Sequence, residues 1–236
     1  MKKLLIVSFL SLYSFASQYY AKVEPIDSYD IRASVGGVVT FVNNKVELTY
    51  IDKPTKIVQI DAKIDKIDLK QSKLKLQNLK EILALEKGTL KSFQKVSSKS
   101  KFDKDNQKIK ILNIKSNITD IETKIATLED KISKKVFYEN KKYIYNISVK
   151  KGDYIAPATL LYTVKDISKA KLTIFISKDE LDNIKNKTIY IDDKKTDFKI
   201  SKLSTIADTT HISSYKCEIE LSSPKVFSKL VKVEFK

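Results

Sequence analysis

Seven apolar residues constrain this chain more than any other feature. Ile111, Ile114, Ile118, Ile121, Ile125, Leu128 and Ile132 follow one another at alternating steps of three and four. A strand sends alternate residues to opposite faces and cannot gather this set. An α-helix, at about 3.6 residues per turn, brings all of them onto one narrow stripe, the a and d positions of a coiled-coil heptad. Asp120 with Lys124 and Asp130 with Lys134 add acid-before-base pairs one helical turn apart. Such a stripe needs an apolar partner.

From Thr55 onward the text upstream is also helical, with two stripes. Ile57, Ile60, Ile64, Ile67 and Leu74 mark the first, and Leu69, Leu76, Leu83 and Leu90, at a strict spacing of seven, mark the second. They lie about 200° apart around a helix. A two-helix seam needs only one of them. The other is either a second contact surface, such as one for a neighbouring subunit, or the drift of an ordinary coiled coil. Between the two helical stretches lies "VSSKSKFDKDN", Val96 to Asn106, short and polar, with Ser and Asp suited to ending one helix and capping the next. A short connection makes the helices antiparallel. Residues 53–136 therefore read as a long α-helical hairpin with arms of roughly 50–60 Å.

The flanks are β-like. "YDIRASVGGVVTFVNNKVELTYID" mixes β-branched and aromatic residues around Gly36-Gly37, a pair that marks a tight bend or a close backbone approach. After the helices, "YIYNISVKKGDYIAPATLLYTV" alternates through Val149, turns at Lys151-Gly152-Asp153 and resumes from Tyr154 to Val164, as a β-hairpin would. Two strands alone are marginal in water. Residues 17–52 and 137–166 are therefore expected to close on each other as one β-domain split by the helical excursion, with the alternative that the first of these residues join the barrel formed by the C-terminal strands. Such an insertion costs little loop-closure entropy when its own ends lie together. Residues 167–236 hold several short alternating runs and one short helix in "SKDELDNI", with Ser177 as cap and Glu180 three residues on. This reads as a small antiparallel barrel.

At the start, Lys2-Lys3, an apolar run from Leu4 to Phe15 and the small-x-small triplet Ser14-Phe15-Ala16 form a secretory signal over residues 1–16, cut after Ala16. No later apolar run is long enough to span a bilayer, so the mature chain is expected to be exported and soluble. Its only cysteine, Cys217, shares a face with Tyr215, Ile219 and Leu221 and reads as a small buried apolar residue. The net charge is +16, yet only Arg32 among the 45 basic residues is arginine, and tryptophan is absent. Base readout and phosphate forks favour arginine, so nucleic acid is not the expected partner.

No enzyme is legible. His211 is the only histidine, and a Ser-His-acid site would have to be built from it with Asp208 and Ser213 or Ser214; a loop histidine is the simpler reading. One His and one Cys leave almost no soft metal ligands, and no cofactor is expected. Lys150 and Lys151, beside the glycine turn, are placed where a lipoyl carrier presents its lysine, but a carrier has no use for a long hairpin.

In this order, a split β-half, a long α-hairpin, a second β-half and a small barrel, the chain resembles the membrane fusion proteins, or periplasmic adaptors, of tripartite efflux and secretion systems. "VGGVVTFV" is similar to the first half of their lipoyl-type domain, and "IYNISVKKGDYIAPATLLYTVKDISKAKLTIFISKDELDNI" to the second half running into the barrel. The resemblance implies an α+β chain: a split lipoyl-like (biotinyl-type) β-sandwich, an inserted antiparallel coiled-coil hairpin and a small antiparallel β-barrel. It implies a periplasmic adaptor that bridges an inner-membrane transporter of RND or ABC type and an outer-membrane channel, and self-associates as a ring, commonly a hexamer. The family's tip carries an arginine, a leucine and a serine that engage the channel. Here Lys95, Val96, Ser100, Phe102 and Asp103 occupy the tip, with Val96 in the leucine's role and no arginine. The chain ends at "KVEFK", so the membrane-proximal domain of many members is expected to be absent or much reduced. The alternative is a periplasmic coiled-coil scaffold or regulator of a cell-envelope enzyme, outside any pump.

Overall fold

The computed structural model describes residues 17–222, 224 and 226–236; the expected export signal, residues 1–16, lies outside them. In chain order the strands before the helices are β1 (Gln18–Lys22), β2 (Glu24–Arg32), β3 (Gly37–Val42), β4 (Thr49–Ile51) and β5 (Thr55–Ile60). The long helices are α1 (Lys63–Lys95) and α2 (Lys101–Ser133). There follow β6 (Val136–Glu139), β7 (Lys142–Ile147), β8 (Tyr154–Ile155), β9 (Leu160–Ser177), the short α3 (Lys178–Leu181), β10 (Ile189–Ile191), β11 (Lys194–Lys195), β12 (Ile200–Ala207), β13 (Ser214–Ser222) and β14 (Leu230–Phe235). Among the described residues no helix is long and apolar enough to cross a membrane. The chain divides into two compact units, one of Tyr29–Val164, the other of residues up to Ser28 with Lys165–Lys236.

In the first unit, β6, β5, β3 and β8 form one antiparallel sheet in that order, while β7 pairs with β4 on one side and β9 on the other. Val39, Ile57, Val58 and Ile60 from the first sheet and Ile51, Ile144, Leu161 and Val164 from the second share one buried cluster. The helical hairpin begins later than residue 53. Thr55–Ile60 is a strand pairing with both β3 and β6. Ile57 and Ile60 are fully buried in the sheet core, and their spacing happens to continue the helical pattern of Ile64 and Ile67.

The expected hairpin after Tyr143 is also revised. Tyr154 and Ile155 pair with Val38 and Gly37 of β3, and β7 pairs instead with β9. The chain changes sheets at the turn, where Gly152 takes φ +99° and its N–H reaches the Val39 carbonyl at 2.9 Å. Glycine adopts that backbone without strain.

In the second unit, β1, β14, β10 and β11 form one antiparallel sheet, and β12, β13 and β9 pair in sequence as another. Both contribute to one core that includes Ile174, Ile176, Cys217, Ile219, Val233 and Phe235. Among the described residues these strands make two sheets with unpaired edges, where a closed barrel was expected. β11 has only two residues, and residues 197–199 that follow it belong to no strand, so the outer edge of β12 has no strand partner among the described residues. Ser177 precedes α3 but makes no side-chain cap; Glu180 accepts instead from the Tyr19 hydroxyl.

Gly88 lies in the middle of α1 with nothing within 4 Å of an added Cβ. Gly88→Ala is expected to stabilise the protein by about 0.5–1 kcal/mol, read as a higher urea midpoint at unchanged m-value.

Candidate functional site

The hairpin is built on two facing heptad stripes. On α2, Ile111, Ile114, Ile118 and Leu128 are buried, and Ile121, Ile125 and Ile132 are half-buried. On α1 the inward residues run Ala62, Asp65, Leu69, Ser72, Leu76, Leu79, Leu83, Glu86, Leu90 and Phe93, again at steps of three and four. The leucines spaced by seven are thus half of this seam. The isoleucine stripe turns outward: Ile64 is 66% exposed, Ile67 46% and Leu74 47%, joined by Ile82 and Leu85. Opposite charges flank the seam, Lys73–Glu129 at 2.7 Å and Lys80–Glu122 at 3.0 Å. Exposed pairs of this kind add about 0–1 kcal/mol each.

Two polar layers interrupt the seam. At its base Asp65 is buried and accepts from Lys135 Nζ at 2.5 Å and Lys131 Nζ at 2.8 Å. Lys135, buried as well, donates a second bond to the Asp61 carbonyl at 2.6 Å. The hydrogen bond from Lys131, then that from Lys135, holds the Asp65 carboxyl below its ordinary range against the opposing effect of burial. Toward the tip, Gln107 Nε2 donates to the Glu86 carboxylate at 2.6 Å and to the Glu86 carbonyl at 3.0 Å. Lys110 binds the same carboxylate at 2.5 Å and is the main cause of its lowered pKa.

The tip has a fixed frame. Ser100 caps α2: its hydroxyl accepts from the Asp103 N–H at 3.1 Å while the Asp103 carboxylate accepts from the Ser100 N–H at 3.2 Å. This reciprocal pair satisfies two backbone donors of the first turn. Both residues thus hold the helix start, a task separate from any docking. Lys95 closes α1 and Val96 is its C-cap. Val96 is 46% exposed and Phe102 74%, whereas Phe93 is half-buried with Lys99 Nζ 4.6 Å above its ring. The tip therefore presents two apolar side chains among Lys95, Lys99, Lys101 and Lys104.

The other candidates are placed as follows. His211 Nδ1 lies 3.0 Å from Asp208 Oδ1, and its ring stacks on Phe175 at 3.7 Å. Ser214 meets it only through the backbone, its N–H bonding the His211 carbonyl. Among the described residues, no cluster of His, Cys, Asp and Glu is suited to hold a metal. Cys217 is fully buried, and burial pushes its thiol up to about 12.

No family model matches the sequence, and no curated protein matches it. Solved structures do. MacA from Actinobacillus actinomycetemcomitans superposes with a TM-score of 0.73 at 19% identity, over 94% of this chain and 78% of that one. A MacA–MexA chimera carrying the Pseudomonas aeruginosa MexA α-hairpin domain gives 0.74 at 16%, over 94% and 80%. The membrane fusion protein Spr0693 from Streptococcus pneumoniae R6 gives 0.74 at 11%, over 93% and 98%. This is the fold of a membrane fusion protein. The membrane fusion protein fold extends over nearly the whole chain, so the long hairpin is part of what is shared. What sequence reasoning missed was the second half of the α1 seam, which the three-four spacing from Ala62 to Phe93 carries once polar residues are allowed at Asp65, Ser72 and Glu86.

Proposed function

We propose that this chain is a periplasmic adaptor, a non-enzymatic link between an inner-membrane transporter of RND or ABC type and an outer-membrane channel in a tripartite export system. In this reading the hairpin tip docks on the channel, the second β unit meets the transporter, and copies assemble side by side as a ring, commonly a hexamer. Each arm of 33 residues extends about 50 Å, a length suited to crossing a compartment. The outward stripe of Ile64, Ile67, Leu74, Ile82 and Leu85 supplies an apolar face for a neighbouring copy. The observation that carries the reading is the tip itself. Val96 and Phe102 are exposed apolar side chains beside the helix start that Ser100 and Asp103 cap, and aromatic side chains such as that of Phe102 are enriched at the cores of binding surfaces.

The test separates frame from contact. A photo-crosslinker at position 102 in the exporting cell is expected to capture an outer-membrane channel, and Val96→Asp with Phe102→Asp is expected to lower export at least tenfold. That is the factor for about 1.4 kcal/mol of lost binding, with helix content unchanged. Wild-type export by the double variant, or cross-links only to soluble proteins, counts against the tip as the docking surface.

A further inference from the structure

The open edge of the second β unit leaves a cleft of about 690 Å³. It runs between the segment around β10 and β11 and the start of β12. Phe198, Ile200 and Leu203 line it and are only half-buried, continuous with the apolar core beneath. At its rim stand Lys185, Lys187, Lys195 and Lys199, with Asp197 the sole acid among the lining residues.

Several lysines elsewhere in the same unit have carboxylate partners. Lys216, Lys229, Lys232 and Lys236 each lie within 3.2 Å of a carboxylate. Among the described residues the side-chain ammonium groups of the four rim lysines lie in no ion pair, and all four residues are exposed. The volume falls within the roughly 300–1,000 Å³ of pockets that take small ligands, and the lining mixes polar with apolar side chains. An apolar floor with a cationic rim selects a molecule that is apolar at one end and anionic at the other. A simple anion gains nothing from the floor, and a neutral amphiphile forgoes the attraction of the exposed ammonium groups.

We infer that this cleft binds a single amphiphilic anion, an aliphatic or aromatic body with a carboxylate, sulfate or phosphate head. The body lies on Phe198, Ile200 and Leu203, and the head meets the rim lysines. Lysine stems lie along apolar surface while their ammonium ends stay at the opening, which suits them to this boundary. The inference stands on the cleft alone and is independent of the adaptor reading.

Dodecanoate below its micellar concentration, titrated into the full chain by calorimetry, is expected to bind at one saturable site. Acetate is expected to give no heat, and octyl glucoside to bind at least about tenfold more weakly, a difference of roughly 1.4 kcal/mol. K195Q/K199Q is expected to weaken dodecanoate at least tenfold with an unchanged melting curve, and Phe198→Ser to weaken it without altering the charge. Co-flotation with phosphatidylglycerol vesicles distinguishes the source. Flotation lost in K195Q/K199Q assigns the head group to a bilayer lipid, and dodecanoate binding without flotation assigns it to a free amphiphile. Equal binding of acetate, equal affinity for octyl glucoside, or unchanged affinity in K195Q/K199Q overturns the inference.

Discussion

Asp65→Ala is expected to destabilise the first unit by about 3–5 kcal/mol, the usual cost of removing one partner of a buried ion pair. Lys135 is buried and its ammonium has two acceptors, the Asp65 carboxylate and the Asp61 carbonyl. Without the carboxylate a buried charge keeps one neutral acceptor, and Lys131 loses its partner too. In a chain of this size the melting temperature should fall by about 6–20 °C. The contribution also depends on pH, and its sign follows from the direction of the shift. The Asp65 carboxyl titrates lower in the folded state than in the unfolded chain, because Lys131 and Lys135 bond its charged form. The stability it supplies is therefore fully present above about pH 4, the ordinary carboxylate value, and is lost as pH falls through the folded value. The gap between wild type and Asp65→Asn should be constant near neutrality and should narrow below pH ~4. Thermal melts by circular dichroism at several pH values measure it. A gap that stays constant into acid would show that the carboxylate's charge contributes nothing.

Gly37→Ala is expected to cost about 2–6 kcal/mol, opposite in sign to the same change at Gly88. Gly37 has φ +152°, and a Cβ there would lie 2.7 Å from Ile60 Cγ2. Ile60 is fully buried, and that methyl is attached at its own Cβ, so no distal rotation moves it aside. Backbone strain of about 1–3 kcal/mol adds to an overpacking cost of about 1–3 kcal/mol. Ile60→Ala removes the methyl that is struck. The double variant Gly37→Ala/Ile60→Ala should therefore be more stable than the two single costs predict, by 0.5 kcal/mol or more. Urea denaturation of the four proteins supplies the cycle. Strict additivity would place the cost in the backbone alone.

The pattern of legible and hidden features has a physical basis. The α2 stripe could be read because every a and d residue from Ile111 to Ile132 is aliphatic and each position speaks for itself. Only half of the α1 seam could, Leu69, Leu76, Leu83 and Leu90, because Asp65, Ser72 and Glu86 occupy inward positions where a polar residue normally argues for the surface. Two of them are tolerated inside because of partners distant in sequence, Lys135 seventy residues away and Gln107 twenty-one. Nothing local announces such a bond. Thr55–Ile60 misled in the opposite sense. In a strand buried on both faces Ile57, Val58 and Ile60 can all be apolar, and a short apolar run carries no period that separates strand from helix. At the tip, position in the chain alone groups Ser100 and Asp103 with Val96 and Phe102. The capping bonds of Ser100 and Asp103 to each other's backbone, and the exposure of Val96 and Phe102 as large apolar side chains, come only from the structure.

The Glu86–Gln107 layer has a consequence for how far the molecule can reach. Two aliphatic stripes alone could slide past each other by a heptad and repack almost as well, moving the far end by about 10 Å. A slipped hairpin would strand a carboxylate and an amide opposite leucine and isoleucine, each losing its mate. A polar rung among greasy ones thus works as a detent, fixing the height at which the chain offers its two bare side chains to whatever lies beyond.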